Sequence, residues 1–383
     1  MMKVACLNKI SPLGTKKLPK NYTLTDDPES AELVLVRSAS MHELPIPPTL
    51  LAVARAGAGV NNIPLDKLAA AGVVVFNTPG ANANGVKELV LAGMLLASRD
   101  VIGGLNWVKE NKHDPEIAKT VEKAKAAFGG TEITGKTIGV IGLGAVGAKV
   151  AKACVDLGLK VLGYDPYLTP EAKAQLPEEV KIETLLDAIY GEADFLSLHL
   201  PLLDSTKHMV NAAVFQKCKP GVILLNFSRD QLVDDDALAE AIAAGIVRKY
   251  VTDFPNHKTA NMDGVIPIPH LGASTEESED NCAIMAVDQL VKFVEEGSIK
   301  NSVNYPKLCA GKKNGAFRIQ ILRKADNTFL AHLTKALAGK ANIKNIVDKA
   351  NADYAATVVD LDGELADLSL VSGLAGVIRC RIV

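Results

Sequence analysis

The sequence of residues 137–147 is Thr-Ile-Gly-Val-Ile-Gly-Leu-Gly-Ala-Val-Gly, an apolar run that passes directly into glycines spaced Gly-x-Gly-x-x-Gly. A helical pattern follows over residues 148–157, and a second apolar run over 160–164 leads into Asp165. This order of strand, glycine turn, helix, strand and acid is typical of a βαβ unit that binds a dinucleotide. A glycine motif without these neighbours would be a much weaker signal.

The glycines of this turn have separate physical roles. Gly142 permits the tight turn, Gly144 lets the backbone approach a pyrophosphate, and Gly147 lets the helix pack closely on the strand. The amides at the helix N-terminus are free to face phosphates. Asp165 lies about 20 residues after Gly147, which is the spacing expected for an acid that binds the ribose hydroxyls. Because no Lys or Arg is adjacent to hold a 2′-phosphate, we expect NAD rather than NADP as the cofactor.

Short apolar runs alternate with helical patterns on both sides of the turn, which predicts parallel sheets. Strands are predicted over Val4–Leu7, Leu33–Arg37, Leu51–Arg55, Val73–Phe76, Thr137–Ile141, Lys160–Tyr164, Ala193–Leu198, Val222–Asn226 and Lys249–Thr252. Helices are predicted over Leu65–Ala71, Val86–Ser98, Ala148–Leu157, Thr184–Tyr190, Asp235–Ala244 and Glu276–Glu296. After them come strands over Phe317–Leu322, Tyr354–Leu361 and Val377–Val383, with helices over Phe329–Leu337 and Ala366–Leu374.

These patterns predict an α/β protein with two Rossmann-like, doubly wound parallel-sheet domains and a small C-terminal α+β domain of the ferredoxin-like type. We expect residues 98–286 to form the NAD-binding domain, inserted into a discontinuous substrate-binding domain of residues 1–97 and 287–305. Residues 306–315, rich in Lys and Gly, are expected to form a linker to the last domain, residues 316–383.

The bulk composition excludes several classes of protein. The chain of 383 residues is 48% hydrophobic and 22% charged, with a formal net charge of −2, so we expect no nucleic-acid partner. No run reaches the ~18 consecutive apolar residues of a membrane span, and the N-terminus lacks the apolar core of a signal peptide. We therefore expect a cytoplasmic protein with no membrane partner. No cysteine or histidine cluster has zinc-binding spacing, so no metal is expected.

Several further motifs resemble those of one family, the D-isomer-specific 2-hydroxyacid dehydrogenases. The motifs are Arg55–Asn62 (Arg-Ala-Gly-Ala-Gly-Val-Asn-Asn), His199-Leu200-Pro201-Leu202, Asn226-Phe227-Ser228-Arg229, Asp253 and Pro269–Thr275 (Pro-His-Leu-Gly-Ala-Ser-Thr). The resemblance covers residues 33–305 almost continuously, and within the family it is nearest to the phosphoglycerate dehydrogenases. It implies NAD-dependent oxidation of a small hydroxy acid, in that branch D-3-phosphoglycerate at the start of serine synthesis.

The residue types suit this chemistry. Removing hydride from a hydroxyl-bearing carbon needs a base for the hydroxyl proton, and an imidazole titrates near neutrality, so His270 is the candidate acid/base. A substrate carboxylate is matched by a guanidinium, which donates two parallel hydrogen bonds, so Arg229 is the candidate carboxylate ligand. The resemblance implies the same two roles.

The resemblance also implies a set of cofactor contacts. Ala145 and Val146 would meet the pyrophosphate through their amides, Leu200 and Pro201 would line the adenine side, and Phe227 and Ser228 would approach the nicotinamide ribose. Asp253 would accept a hydrogen bond from the nicotinamide amide, and Gly272 and Ala273 would lie beside the ring.

One departure from the family concerns the partner of the catalytic histidine. Family members usually carry a Glu shortly after the Asp253 position, and that Glu hydrogen-bonds the histidine. This chain has no Glu between Asp253 and His270, and Asp263 is the only carboxylate there. His257 is the candidate for the position of the Glu, but an imidazole cannot act as an anion. Our hypothesis is that His270 works without the Glu, supported by Asp263.

The identity of the substrate depends on cations other than Arg229. Two predicted strands of the first domain end in an arginine, Arg37 (followed by Ser38) and Arg55. Ligands of parallel sheets gather at such strand ends. The resemblance implies that both arginines bind a substrate phosphate, with Ala58 and Gly59 facing the ligands. The partner would then be a phosphorylated hydroxy acid. The alternative is a pair of surface arginines.

Residues 316–383 resemble an ACT domain, a small module that binds amino-acid effectors. However, Ala325–Thr328 (Ala-Asp-Asn-Thr) replaces the Asn-x-Pro-Gly turn that holds serine in the family. A purely structural or dimerising module is therefore as good an interpretation as a serine sensor.

Two other functions stay open. The chain could be a dehydrogenase for glycerate, lactate or another 2-keto acid, or an NAD-sensing scaffold of the corepressor type. The resemblance implies a homodimer or homotetramer, formed mainly through the nucleotide domain.

Overall fold

The computed structural model describes residues 1–363, 365 and 367–383. The strands of the structure are β1 (Met2–Cys6), β2 (Tyr22–Thr25), β3 (Leu33–Val36), β4 (Ala52–Arg55), β5 (Val74–Phe76), β6 (Thr137–Ile141), β7 (Lys160–Tyr164), β8 (Val180–Ile182), β9 (Phe195–Leu198), β10 (Val222–Asn226), β11 (Val247–Thr252), β12 (Val265–Pro267), β13 (Phe317–Lys324), β14 (Asn342–Ala350), β15 (Tyr354–Asp362) and β16 (Val377–Ile382).

The helices are α1 (Pro12–Thr15), α2 (Leu65–Ala70), α3 (Ala83–Ser98), α4 (Val101–Glu110), α5 (Ile117–Ala124), α6 (Ala145–Asp156), α7 (Pro170–Lys173), α8 (Leu186–Glu192), α9 (Ala212–Phe215), α10 (Asp235–Ala243), α11 (His257–Ala260), α12 (Glu276–Glu296), α13 (Phe329–Leu337) and α14 (Ser369–Ser372). Among the helices of the described residues, none is long and apolar enough to cross a membrane.

The described chain divides into two compact units, and the division differs from the predicted domain bounds. Unit 1 comprises residues 1–82 and 276–383, and unit 2 comprises residues 83–275. Helix α3, expected to end the first domain, belongs to unit 2 because it packs on α6 and on β10 and β11. All of α12 belongs to unit 1, because it packs on α1, β3 and β4.

Unit 2 contains one parallel sheet with strand order β12-β11-β10-β9-β6-β7-β8. The chain leaves β6 in one direction towards β8 and returns to the other side of β6 through β9, which is the doubly wound order of Rossmann folds. Successive residues of β6 enter opposite cores, since Val140 packs with α3 and α6 and Ile141 packs with α8 and α10. Both faces of the sheet are therefore buried, as an all-parallel sheet requires.

Unit 1 contains a second parallel sheet with strand order β2-β1-β3-β4-β5. This is the other common doubly wound order, with its switch point between β1 and β3. Leu33 and Leu35 face a core that α12 completes, and Val34 and Val36 face a core that α2 completes. The predicted fold of two doubly wound sheets is confirmed.

The third sheet lies in unit 1 and is antiparallel, with strand order β14-β15-β13-β16. This order and the sequence of elements βαββαβ define the predicted ferredoxin-like module. Helices α13 and α14 cover one face through Phe329, Leu333 and Val371. On the opposite face the central strands β13 and β15 are also buried, because Leu322 and Val358 join the core beneath α12.

Arginines of this module bind the carboxyl end of α12. Arg318, fully buried against Asp360, donates to the Glu296 carbonyl at 2.8 Å. Arg381 lies 4.1 Å from the Phe293 ring centroid and donates to the carbonyls of Phe293 and Val294. Burial lowers the pKa of Arg381 to about 10, so the side chain stays cationic at neutral pH. The last carbonyls of α12, which have no partner within the helix, thus receive charged donors.

The predicted linker contributes to this packing. Leu308 is buried in the core of unit 1, and the carbonyls of Gly311 and Lys312 accept hydrogen bonds from Arg318. The predicted domain bounds stay a prediction. Residues 306–315, predicted as a linker, pack against unit 1 through these contacts.

We predict that Arg381→Met lowers the stability of unit 1 by about 1–3 kcal/mol, because charged hydrogen bonds to the end of α12 are lost. Thermal and urea denaturation would measure the loss. Lys344→Met is the matched control, since Lys344 and Asp362 form an exposed pair of the same module that is worth less than about 1 kcal/mol. Equal midpoints for the two variants would contradict the stabilising role of Arg381.

Candidate active site

The glycine turn of unit 2 has the geometry that its sequence predicts. Gly142 adopts a φ of +92°, and a Cβ atom there would lie 2.4 Å from the His199 carbonyl oxygen. A Cβ atom at Gly147 would lie 1.8 Å from the Gly142 carbonyl oxygen, so only glycine allows α6 to start this close to β6. A Cβ atom at Gly144 would meet no atom within 4 Å. The space beside Gly144 is open to a ligand.

The first turn of α6 points its amides into this open space. Gly144 is the N-cap residue and has no side-chain hydrogen bond to offer, so the cap leaves the amides at the start of the helix uncovered. Asp165 at the end of β7 is held to the same turn, because its carboxylate accepts hydrogen bonds from the amides of Leu143 and Tyr167, both at 2.9 Å. Amides for a pyrophosphate and a carboxylate for ribose hydroxyls therefore stand together.

Asp253 is the most deeply buried acid of this site, with 1% of its surface exposed. Its Oδ2 atom accepts a hydrogen bond from the Gly272 amide at 3.0 Å, and its Oδ1 atom is enclosed without a partner among the described residues. Burial raises the pKa of Asp253, and the hydrogen bond from the Gly272 amide and the nearby Arg229 guanidinium oppose that shift. A buried acceptor that lacks a donor can receive a hydrogen bond from the amide group of a nicotinamide. The residues of this site therefore fit NAD.

Arg229 and His270 approach the same aromatic ring. The imidazole of His270 has its centroid 4.3 Å from that of Phe254, and the guanidinium carbon of Arg229 lies 5.4 Å from the Phe254 centroid. Arg229 is oriented by a hydrogen bond to the Ser228 carbonyl at 2.5 Å. The structure thus brings together the proposed acid/base, the proposed carboxylate ligand and Asp253, which directly precedes Phe254.

Phe254 is a site residue that the sequence analysis missed. The only local signal is an aromatic residue immediately after the strand that ends with Asp253. In contrast, Asp263 is exposed and forms no hydrogen bond or ion pair with His270 within the described part of the chain. His257 starts the short helix α11 and is also exposed. The contact observed at the His270 ring is therefore aromatic.

The remaining predicted cofactor residues lie around the turn in different environments. A Leu200 methyl group would lie 3.0 Å from a Cβ atom at Gly142, and Pro201 is exposed. The Phe227 side chain is buried in the core of unit 2, and the Ser228 hydroxyl donates to the Leu198 carbonyl at 2.7 Å. These two residues would therefore meet a cofactor mainly through their backbone. Ala273 is half-buried, next to Gly272.

The predicted substrate residues lie at the carboxyl edge of the unit 1 sheet. Arg55 donates from Nε to the Arg37 carbonyl at 3.1 Å, and Arg37 pairs through Nη1 with Glu279 at 2.7 Å. The Asn8 side chain accepts from the amides of Arg37 and Ser38, each at 3.1 Å, and holds the chain at the switch point.

The glycine-rich loop after β4 makes room for the Arg55 guanidinium. A Cβ atom at Gly57 would lie 1.6 Å from Arg55 Nη1. Next to it Ala58 is exposed and Gly59 is half-buried, with the Ala58 carbonyl fixed by the Asn77 side chain at 2.7 Å. Among the described residues, no group of three His, Cys, Asp or Glu side chains could hold a metal ion.

Comparison with known proteins agrees with this geometry. Residues 91–272 match the family model described as D-isomer specific 2-hydroxyacid dehydrogenase, NAD binding domain. A hydroxypyruvate reductase of Thermotoga maritima is 34% identical over 73% of this chain and 89% of that protein. A D-3-phosphoglycerate dehydrogenase of Mycobacterium bovis is 39% identical over 72% of this chain and 51% of that protein. The NAD+-bound 3-phosphoglycerate dehydrogenase of Entamoeba histolytica has a TM-score of 0.59 at 25% identity, covering 79% of this chain and 98% of that one.

The fold and the glycine turn define an NAD-binding α/β protein, and unit 2 carries the NAD-binding domain. The chain belongs to the D-isomer-specific 2-hydroxyacid dehydrogenase family and is an NAD-dependent oxidoreductase that acts on CH–OH groups. It spans 51% of the length of the mycobacterial D-3-phosphoglycerate dehydrogenase that it matches.

We predict that Gly144→Ala and Gly147→Ala separate ligand binding from folding. The methyl group at 144 enters open space, so the variant should keep its melting temperature and lose about 10-fold in NAD affinity. The methyl group at 147 collides with backbone, so that variant should be destabilised by about 3 kcal/mol or fail to fold. Calorimetric NAD titration and thermal unfolding distinguish the two effects. Unchanged NAD affinity in Gly144→Ala would contradict this position for the pyrophosphate.

Proposed function

We propose that the chain oxidises D-3-phosphoglycerate to 3-phosphohydroxypyruvate with NAD, the first step of L-serine biosynthesis. The observation that carries this proposal is the pair of guanidinium groups, Arg37 and Arg55, at the ligand-binding edge of the unit 1 sheet. A substrate that carries a phosphate in addition to its carboxylate offers these two arginines an anionic ligand. The sequence similarity to D-3-phosphoglycerate dehydrogenases supports the same substrate.

In the proposed mechanism Arg229 binds the substrate carboxylate through paired hydrogen bonds and fixes the hydroxyl-bearing carbon. Bound NAD supplies the hydride acceptor. His270 accepts the hydroxyl proton during oxidation and returns it during reduction. Because the His270 side chain is exposed and has no carboxylate partner in the described part of the chain, it can pass the proton to water directly. Phe254 contacts both side chains.

On the cofactor side, Gly142, Gly144, Ala145, Val146 and Gly147 would bind the pyrophosphate through the glycine turn and the start of α6. Asp165 would accept hydrogen bonds from ribose hydroxyls. The enclosed Oδ1 atom of Asp253 would accept one from the nicotinamide amide and so fix the ring.

A second candidate function is the reduction of hydroxypyruvate or a similar 2-keto acid without a phosphate. Two observations favour it. The matched hydroxypyruvate reductase is covered over 89% of its length, and Arg37 is already paired with Glu279. Both candidates use Arg229, His270 and NAD in the same way and differ in whether the substrate carries a phosphate group.

A panel of substrates separates the candidates. We expect reduced cofactor to form from NAD with 3-phosphoglycerate, and a lower kcat/KM with glycerate or lactate. The reverse direction should be run with 3-phosphohydroxypyruvate and hydroxypyruvate, because oxidation of the hydroxy acid is uphill. Turnover of hydroxypyruvate alone would replace the proposed substrate with the second candidate.

Substitution of the two central residues tests the mechanism. His270→Gln should lower kcat about 100- to 10,000-fold through loss of the acid/base. Arg229→Gln should lower kcat/KM about 100-fold or more through loss of the carboxylate contact. His257→Gln is the control, since His257 is exposed on α11 and should keep wild-type rates. A His270→Gln variant with wild-type kcat would refute the acid/base role.

We also propose a homodimer or a homotetramer that buries helix α4 of unit 2. Val101, Leu105 and Val108 share one face of α4 and are each between 44% and 49% exposed, which is unusual for three apolar side chains on one stripe.

Leu105→Glu should convert the assembly into smaller species in sedimentation experiments, since it places a charge in an apolar interface. Leu203→Glu, at an exposed leucine of the same unit, should leave the mass unchanged. Equal masses for the wild type and Leu105→Glu would exclude this surface as the interface.

A further inference from the structure

The ion pair between Arg37 and Glu279 joins two parts of unit 1 that are distant in sequence. Arg37 directly follows β3, and Glu279 lies in the first turn of α12. The Arg37 Nη1 and Glu279 Oε1 atoms are 2.7 Å apart, and the two side chains are 37% and 43% exposed. An acid therefore forms an ion pair with an arginine at the edge where ligands of this sheet gather.

The surroundings show that this carboxylate lies in a cationic cluster. Arg55 is bonded to the backbone of Arg37, so both guanidinium groups belong to one edge of the sheet. Cys282, one helical turn after Glu279, is buried and lies within electrostatic range of Arg37, Arg55 and Glu279. Glu279 thus lies where a negatively charged group of a ligand would also be attracted.

The ion pair between Arg37 and Glu279 is weak enough for an anionic ligand to replace Glu279. Exposed ion pairs contribute little to stability because water and salt compete with them. A phosphate dianion offers a guanidinium more charge and more acceptor oxygens than a single carboxylate. Binding of such a group to Arg37 requires Glu279 to leave the guanidinium, and the carboxylate that stays nearby repels the incoming anion.

We propose that Glu279 is an internal competitor for the anionic end of the substrate and so sets the preference between phosphorylated and unphosphorylated hydroxy acids. This inference rests on the proposed function, since it concerns the same arginines. Glu279 occupies Arg37 in the absence of substrate, weakens the binding of a phosphate group, and has no effect on substrates that lack one. It is a specificity-determining residue with no part in hydride transfer.

Replacement of Glu279 by its neutral isostere tests the proposal. Glu279→Gln should lower the KM for 3-phosphoglycerate about 2- to 10-fold, with kcat retained, because the competitor is removed. The KM for glycerate and hydroxypyruvate should stay at the wild-type value. A role of Glu279 in orienting Arg37 would have the opposite result, a higher KM for the phosphorylated substrate, and would overturn the proposal. An unchanged KM would also overturn it.

Asp280→Asn is the matched control for charge. It removes one negative charge at the neighbouring position, but the Asp280 carboxylate accepts a hydrogen bond from the Ser11 hydroxyl and is not paired with Arg37. The KM for 3-phosphoglycerate should therefore change much less than in Glu279→Gln. An equal decrease in both variants would assign the effect to the general electrostatic field and contradict competition at Arg37.

A binding measurement separates this inference from the proposed function. Inorganic phosphate is titrated calorimetrically into the wild type and Glu279→Gln without cofactor or substrate, and the variant should bind it about 2- to 10-fold more tightly. If Glu279→Gln binds phosphate no more tightly than the wild type, the inference is wrong, whichever substrate is turned over. If no phosphorylated substrate is turned over but the affinity for phosphate rises as expected, the proposed function fails and the competition stands.

Discussion

The close approach between α6 and β6 determines the arrangement of unit 2. The Gly142 carbonyl lies so near Gly147 that a single methyl group there would collide with it, and Gly142 itself lies directly over the His199 carbonyl. The chain can turn this tightly only because Gly142 adopts a positive φ. The start of α6 is thereby placed at the carboxyl edge of the sheet, where the Leu143 amide also fixes Asp165. One backbone constraint thus assembles both halves of a dinucleotide site.

Unit 1 depends in a comparable way on α12, which is held at both ends. Near its N-terminus Glu279 pairs with Arg37, at the edge of the parallel sheet. At its C-terminus the carbonyls of Phe293, Val294 and Glu296 accept hydrogen bonds from Arg318 and Arg381 of the ferredoxin-like module. The module therefore belongs to the same packed unit as the arginines proposed to bind substrate. Its position favours a structural contribution, since its central strands β13 and β15 are buried on both faces.

The sequence predicted those features that depend on local patterns. The central strands β6, β7 and β10 and the long helix α12 have their predicted bounds, because long apolar runs and helical periodicity are local signals. The edge strands β2, β8 and β12 were missed, since each has only three or four residues and is not apolar throughout. Strand β14 was missed for a related reason, as its residues are largely exposed or half-buried.

Within the candidate site, sequence motifs predicted the glycine turn and Asp253. Both directly follow a strand, β6 and β11, so that a short stretch of sequence is enough to locate them. The contact of Phe254 with His270 and the pairing of Arg37 with Glu279 were not predicted, because tertiary packing decides which distant side chains meet. The hypothesis that Asp263 supports His270 was reasoned from sequence position alone. In the fold the acid lies on the exposed surface without a bond to the histidine, within the described residues.

The proposed roles of Arg229 and His270 all require that hydride passes from the hydroxyl-bearing carbon of a hydroxy acid to NAD. The most direct measurement uses D-3-phosphoglycerate with deuterium on its hydroxyl-bearing carbon, followed by proton NMR of the reduced cofactor. In the wild type the deuterium should appear on the nicotinamide ring. Reduced cofactor that carries only hydrogen from water, or no reduced cofactor with any hydroxy acid tested, would contradict it.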